Sequence, residues 1–85
     1  MISNRIKQDL SRALALLRQG DWQAAHLIVQ RDEDSALSCW AHGIVHLMEG
    51  DIANARYWYR EAKREFPRNP SIPEEIAALG KTLEG

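Results

Sequence analysis

Two Gly-Asp pairs, Gly20-Asp21 and Gly50-Asp51, stand thirty residues apart, each between two stretches with helical apolar spacing. A glycine can take the left-handed conformation that ends a helix, and an aspartate directly after it can cap the next. The chain is therefore expected to fold back on itself twice in the same way. At this offset Leu10 aligns with Trp40, Ala13 with Gly43, Leu14 with Ile44 and Leu17 with Leu47. Beyond the turns, Ala25 aligns with Ala55 and Val29 with Tyr59. Self-similarity at such a period marks a helical array. Paired helices touch where side chains are smallest, so Gly43 is expected to face Ala55.

The spacing predicts five helices, over about 4–19, 22–31, 36–49, 52–66 and 73–83, and no strand. The first carries an apolar stripe of Ile6, Leu10, Ala13, Leu14 and Leu17, with Ser3 placed to cap it. The second should turn Trp22, Ala25, Ile28 and Val29 inward. The third shows a wide apolar face of Leu37, Trp40, Ala41, Ile44, Leu47 and Met48, with Ser38, His42, His46 and Glu49 roughly opposite. The fourth directs Ile52, Ala55, Tyr59, Ala62 and Phe66 to one side. Ser71-Ile72-Pro73-Glu74 resembles a capping box that opens the fifth. The expected fold is all-α and one domain over 1–85. It comprises two antiparallel helical hairpins (4–31 and 36–66) and a C-terminal closing helix (73–83).

Composition narrows the function classes. A net charge of −1 gives no field that steers the chain toward nucleic acid or an anionic membrane. Cys39 is the single cysteine, so no intrachain disulfide can form and packing must supply the stability. No apolar run approaches the roughly 18 residues of a membrane span, and the first ten residues lack the apolar core of a signal peptide. A soluble, cytoplasmic protein is expected.

The second copy resembles a tetratricopeptide repeat. Gly43, Ala55, Tyr59, Ala62 and Pro67 fall at that family's spacing for small, small, aromatic, small and proline, and Gly50-Asp51 matches its frequent inter-helix turn. The resemblance covers residues 36–67 well and 6–31 weakly. It departs from the family in three ways. Trp40 is one residue out of register, His42 and His46 replace the usual Leu and Tyr, and the period is 30 instead of about 34. The resemblance implies protein–protein binding by a non-enzymatic adaptor or assembly module. Two repeats with one closing helix make a short array, for which self-association is one remedy.

Three constellations compete with that reading. Cys39, His42, His46 and Glu49 follow at helical spacing, but residues seven apart on a helix are about 10.5 Å apart along its axis. Only His42 and His46 could share an ion, with His26, Glu49 or Asp51 completing the set. A structural role is expected instead, with His42 exposed and His46 half-buried and bonded to the neighbouring turn; no metal and no cofactor are expected. Cys39 beside His42 is a thiol next to a base, without the loop or oxyanion donors of a nucleophilic enzyme. Tyr57, Trp58, Arg60 and Arg64 pair aromatics with cations. Such a set can hold single-stranded nucleic acid, but Tyr and Arg are also the types that carry energy at protein interfaces. These four are the expected partner-binding residues, for a protein or peptide or a second copy of the chain. Trp58 is expected where the fifth helix or another subunit would dock.

Overall fold

A computed structural model describes residues 4–85, so the cap expected from Ser3 lies outside the described residues. The helices are α1 (Asn4–Arg18), α2 (Trp22–Val29), α3 (Ala36–Glu49), α4 (Ile52–Glu61) and α5 (Ile72–Glu84), with no strand among the described residues. The all-α class is what the chain adopts. α1 packs on α2 and α3 on α4, while α5 packs on both α1 and α3.

Both Gly-Asp turns form as the residues require. Gly20 has φ 82°. Its N–H donates to the Leu17 carbonyl at 3.0 Å and the Asp21 N–H donates to Leu16 at 2.9 Å, closing a Schellman motif. Asp21 then caps α2 by accepting the Ala24 N–H at 3.1 Å. The second turn repeats this bond for bond. Gly50 has φ 88° and donates to Leu47 at 3.1 Å, while Asp51 donates to His46 at 2.9 Å. The Asp51 carboxylate accepts the Asn54 N–H at 3.2 Å.

A third Schellman motif ends α4, where the sequence carries no glycine. Lys63 takes φ 60° and donates to Arg60, and Arg64 donates to Tyr59, both at 2.9 Å. α4 therefore stops at Glu61 and not at the expected residue 66, because the left-handed Lys63 turns the chain out of the helix. Phe66 still packs edge-on against Tyr59, with ring centroids 5.2 Å apart, but it does so from the following loop. Ile52 departs from expectation too and is 45% exposed. As the first residue of α4 it lies past the face that α3 covers.

α3 is the centre of the molecule. Every residue from Ser38 to Val45 is buried, so its middle has no solvent face. Ser38, expected opposite the apolar stripe, donates its hydroxyl to the Val29 carbonyl at 3.2 Å and ties α3 to the end of α2. On another side Tyr59 crosses Gly43. A Cβ on Gly43 would lie 2.5 Å from Tyr59 Cδ1 and 3.4 Å from the Ala55 carbonyl oxygen. The helices approach closely where expected, with the Tyr59 ring as the nearest neighbour.

α5 is held by a polar tie as well as by Ile76, Leu79 and Leu83. One Glu75 carboxylate oxygen accepts the Trp40 indole N–H at 3.3 Å and also the Tyr59 hydroxyl. Burial, and after it the bond to Glu75, push the Tyr59 phenol well above its ordinary pKa, so it remains a donor.

Two stability measurements check this packing. Gly43→Leu should destabilise by at least about 1–3 kcal/mol, because the buried Tyr59 ring cannot yield. Ala53→Leu, on the exposed side of α4, should be nearly silent; equal melting shifts at the two positions would reject the register. Lys63→Gly should stabilise by roughly 0.5–1 kcal/mol. The left-handed backbone costs a side-chain-bearing residue about 1–2 kcal/mol, against a smaller entropic cost for glycine.

Candidate functional site

The four expected partner-binding residues do not form one ridge. Because α4 ends early, Arg64 is carried over the Trp40 ring, with its guanidinium carbon 3.4 Å from the centroid. Trp58 turns inward and stacks on His42, with centroids 3.9 Å apart and planes 9° apart. α5 docks elsewhere, on α1 and α3, so Trp58 does not serve as its seat. Tyr57 remains 46% exposed, edge-on to Trp58 at 5.0 Å, and Arg60 is exposed. Trp58 is thus drawn into an internal stack, Arg64 lies over the buried Trp40 ring while remaining exposed itself, and Tyr57 and Arg60 face solvent.

His46 is half-buried as expected, whereas His42 is not where expected. His42, expected exposed, is 3% exposed. The reason is that α3 is covered on both flanks: α2 and α4 each pack on α3 and not on one another. His26 from α2 closes one side of the His42 ring and Trp58 from α4 closes the other. His26 Nε2 lies 3.2 Å from His42 Nε2, one ring donating its N–H to the other. His46 stacks on His42 with centroids 5.1 Å apart and meets His26 edge-on at 5.4 Å. Three imidazoles, from two helices, therefore converge. Their ligand nitrogens all lie within 4.8 Å of one another.

The surroundings define the state of each ring. His46 Nδ1 is paired with Glu49 Oε1 at 2.8 Å, one turn on along α3. That bond turns His46 Nε2 away from the carboxylate. His42 Nδ1 is buried without a partner, so the ring's polar engagement is through Nε2 toward His26. Burial, then the neighbouring His26 and His46, lower the His42 pKa from 6.5 to about 4. The ring is neutral at pH 7.

Neighbouring groups are committed elsewhere. Asp51 accepts both the backbone N–H and the side-chain amide of Asn54, the latter at 2.7 Å, and these bonds hold its carboxyl below the usual value. Cys39 donates its thiol hydrogen to the Glu33 carbonyl at 3.3 Å, and burial raises its pKa. No thiolate forms beside His42 at neutral pH.

A separate feature lies across the molecule. An open groove of about 510 Å³ runs between the C-terminal ends of α1 and α3 and the start of α5, lined by Leu17, Met48, Ile72 and Ile76 with Arg18 beside them. Sequence periodicity assigned Leu17 and Met48 to the core and gave no sign of this groove. No protein-family model, curated protein or solved structure matches the chain.

The pH dependence of stability reports on the buried imidazole. Below pH 6.5 the unfolded chain takes up a proton that folded His42 refuses until about pH 4. Stability should therefore fall as pH drops from 6.5 toward 4, and His42→Gln should flatten that slope. His42→Ala should destabilise by about 2–4 kcal/mol, through the cavity left beside Trp58. A melting temperature unchanged by His42→Ala would return this ring to the surface.

Proposed function

We propose that the chain is a non-enzymatic helical-repeat module of tetratricopeptide-like type that binds a protein or peptide segment. The groove between α1, α3 and α5 carries this reading. Its size falls in the range of about 300–1,000 Å³ usual for binding clefts, and its walls are mostly apolar. Arg18 at its side favours an acidic segment that also presents apolar side chains. The resemblance over residues 36–67 supports the same class of work.

A second reading keeps the binding surface on α4. Exposed Tyr57 and Arg60 favour it, since a large aromatic beside a cation suits an acidic partner or a second copy of the chain. Trp58 then acts from behind by packing against Tyr57, and Arg64, also exposed, lies over Trp40.

Selection of displayed peptides on the immobilised protein separates the two surfaces. Enriched sequences should combine acidic and large apolar residues. Arg18→Glu should weaken their binding at least tenfold. The same change should lower the melting temperature by only a few degrees, since a reversed charge at a helix end costs about 0.3–1 kcal/mol. Tyr57→Ala with Arg60→Ala should leave that binding intact. The opposite pattern moves the site to α4, and an absence of enrichment rejects the module.

A further inference from the structure

We propose that His26, His42 and His46 form the coordination site of one late first-row divalent cation, such as zinc, with a fourth position open to water. The inference rests on the histidine cluster alone and is independent of the groove and of the repeat-module reading.

Geometry comes first. Two imidazole nitrogens, each 2.0–2.1 Å from a tetrahedral ion, are about 3.3 Å apart. His26 Nε2 and His42 Nε2 already stand 3.2 Å apart, on different helices. The third ligand nitrogen lies within 4.8 Å of both, close enough for a small side-chain rotation to bring it in. Imidazole is a donor suited to zinc and its late-transition neighbours and not to calcium or magnesium, which take oxygen ligands.

The second shell points the same way. Metal-bound histidines characteristically give their other ring N–H to a carboxylate, which fixes the tautomer and leaves the remaining nitrogen for the metal. His46 Nδ1 has that partner in Glu49 at 2.8 Å. The buried Nδ1 of His42 has no such partner, so among these rings the carboxylate bond is made by His46 and not by His42. Trp58, stacked on His42, walls the cluster with an apolar face. His46 keeps 11% of its side-chain surface exposed, which leaves an approach for an ion and for water.

Two alternatives use some of the same residues. A purely structural cluster satisfies the His26–His42 hydrogen bond, but it leaves the third ligand nitrogen, within 4.8 Å of both, outside that bond. An ion at their centre would engage all three lone pairs. The other alternative gathers His46, Glu49 and Asp51 at the turn into α4. Both Asp51 carboxylate oxygens already accept from Asn54 and one Glu49 oxygen is paired with His46, so that group is less free to converge on an ion.

The test uses full-length protein prepared without a polyhistidine tag and freed of metal by a chelator. Zinc should bind with one-to-one stoichiometry by calorimetry. At a hundredfold excess over its Kd it should raise the melting temperature by on the order of 10–20 °C. Cobalt should give the strong visible absorption of a four-coordinate ion. His26→Ala and His46→Ala should each abolish both signals while the metal-free proteins keep the helical circular dichroism of the parent. A parent protein that shows neither response overturns the proposal. So does zinc binding that survives His26→Ala but is lost in Asp51→Asn, because the ion then belongs to the exposed turn.

Discussion

Every other helix in this protein leans on α3, whose central eight residues from Ser38 to Val45 are all shut away from water. A helix buried all round normally must be apolar all round. This one is not, because it also carries Ser38, Cys39 and His42. A polar atom buried on it without a partner costs about 1–3 kcal/mol, and more if charged; His42 Nδ1 is one such atom. Ser38 reaches the Val29 carbonyl, the Cys39 thiol reaches the Glu33 carbonyl, and the Trp40 indole reaches Glu75. Those three bonds run to the end of α2, the loop after it, and α5. The polar residues of α3 thus choose which elements lie where, and apolar burial supplies the bulk of the stability.

This explains why the sequence was legible in one respect and misleading in another. Turn chemistry is local, so Gly20-Asp21 and Gly50-Asp51 could be read as two identical stop-and-cap devices, and they form with matching hydrogen bonds. The core members Leu10, Leu14, Ile44, Ala55 and Tyr59 follow from helical spacing and are buried. Periodicity assigns one inside face per helix, however, and α3 has more than one. Ser38 and His42 were read as its solvent side, although helices on two flanks cover them. Only a count of neighbours, which is tertiary information, could have placed them. The early end of α4 was hidden for a different reason. Lysine gives no local sign of a left-handed backbone, so Lys63 looked like helix surface, and Arg64 and Phe66 were assigned one more turn of helix.

That early end also decides what became of the expected ridge. A continuous helix would have set Tyr57, Arg60 and Arg64 along one exposed side. Breaking it at Lys63 folds Arg64 back over Trp40, where the cation covers the face of an indole whose N–H is held by Glu75. Because Arg64 itself stays exposed, the contact belongs with exposed cation–π pairs, worth about 0.5–1 kcal/mol. The arginine therefore covers the Trp40 face while its own side chain stays at the surface. Sequence alone could show that aromatics and cations were neighbours, but not which of them faced each other.

The histidine cluster sits where the two helix pairs meet, and its position has a mechanical consequence. Two helix pairs packed side by side depend on the interface between them as well as on each pair's own packing. Here α2 contributes His26 and α3 contributes His42 and His46 to that joint, and Trp58 of α4 closes it. An apolar joint would hold the pairs together regardless of conditions. This joint holds the His42 ring, whose burial keeps it neutral at pH 7, and it loses stability when acid forces a charge into that ring. Because ligand binding to the folded state adds directly to folding free energy, an ion at this joint would tighten the contact between one helix pair and the next. The thirty-residue echo that organises the sequence thus leads to the junction at which chemistry can act on the whole fold.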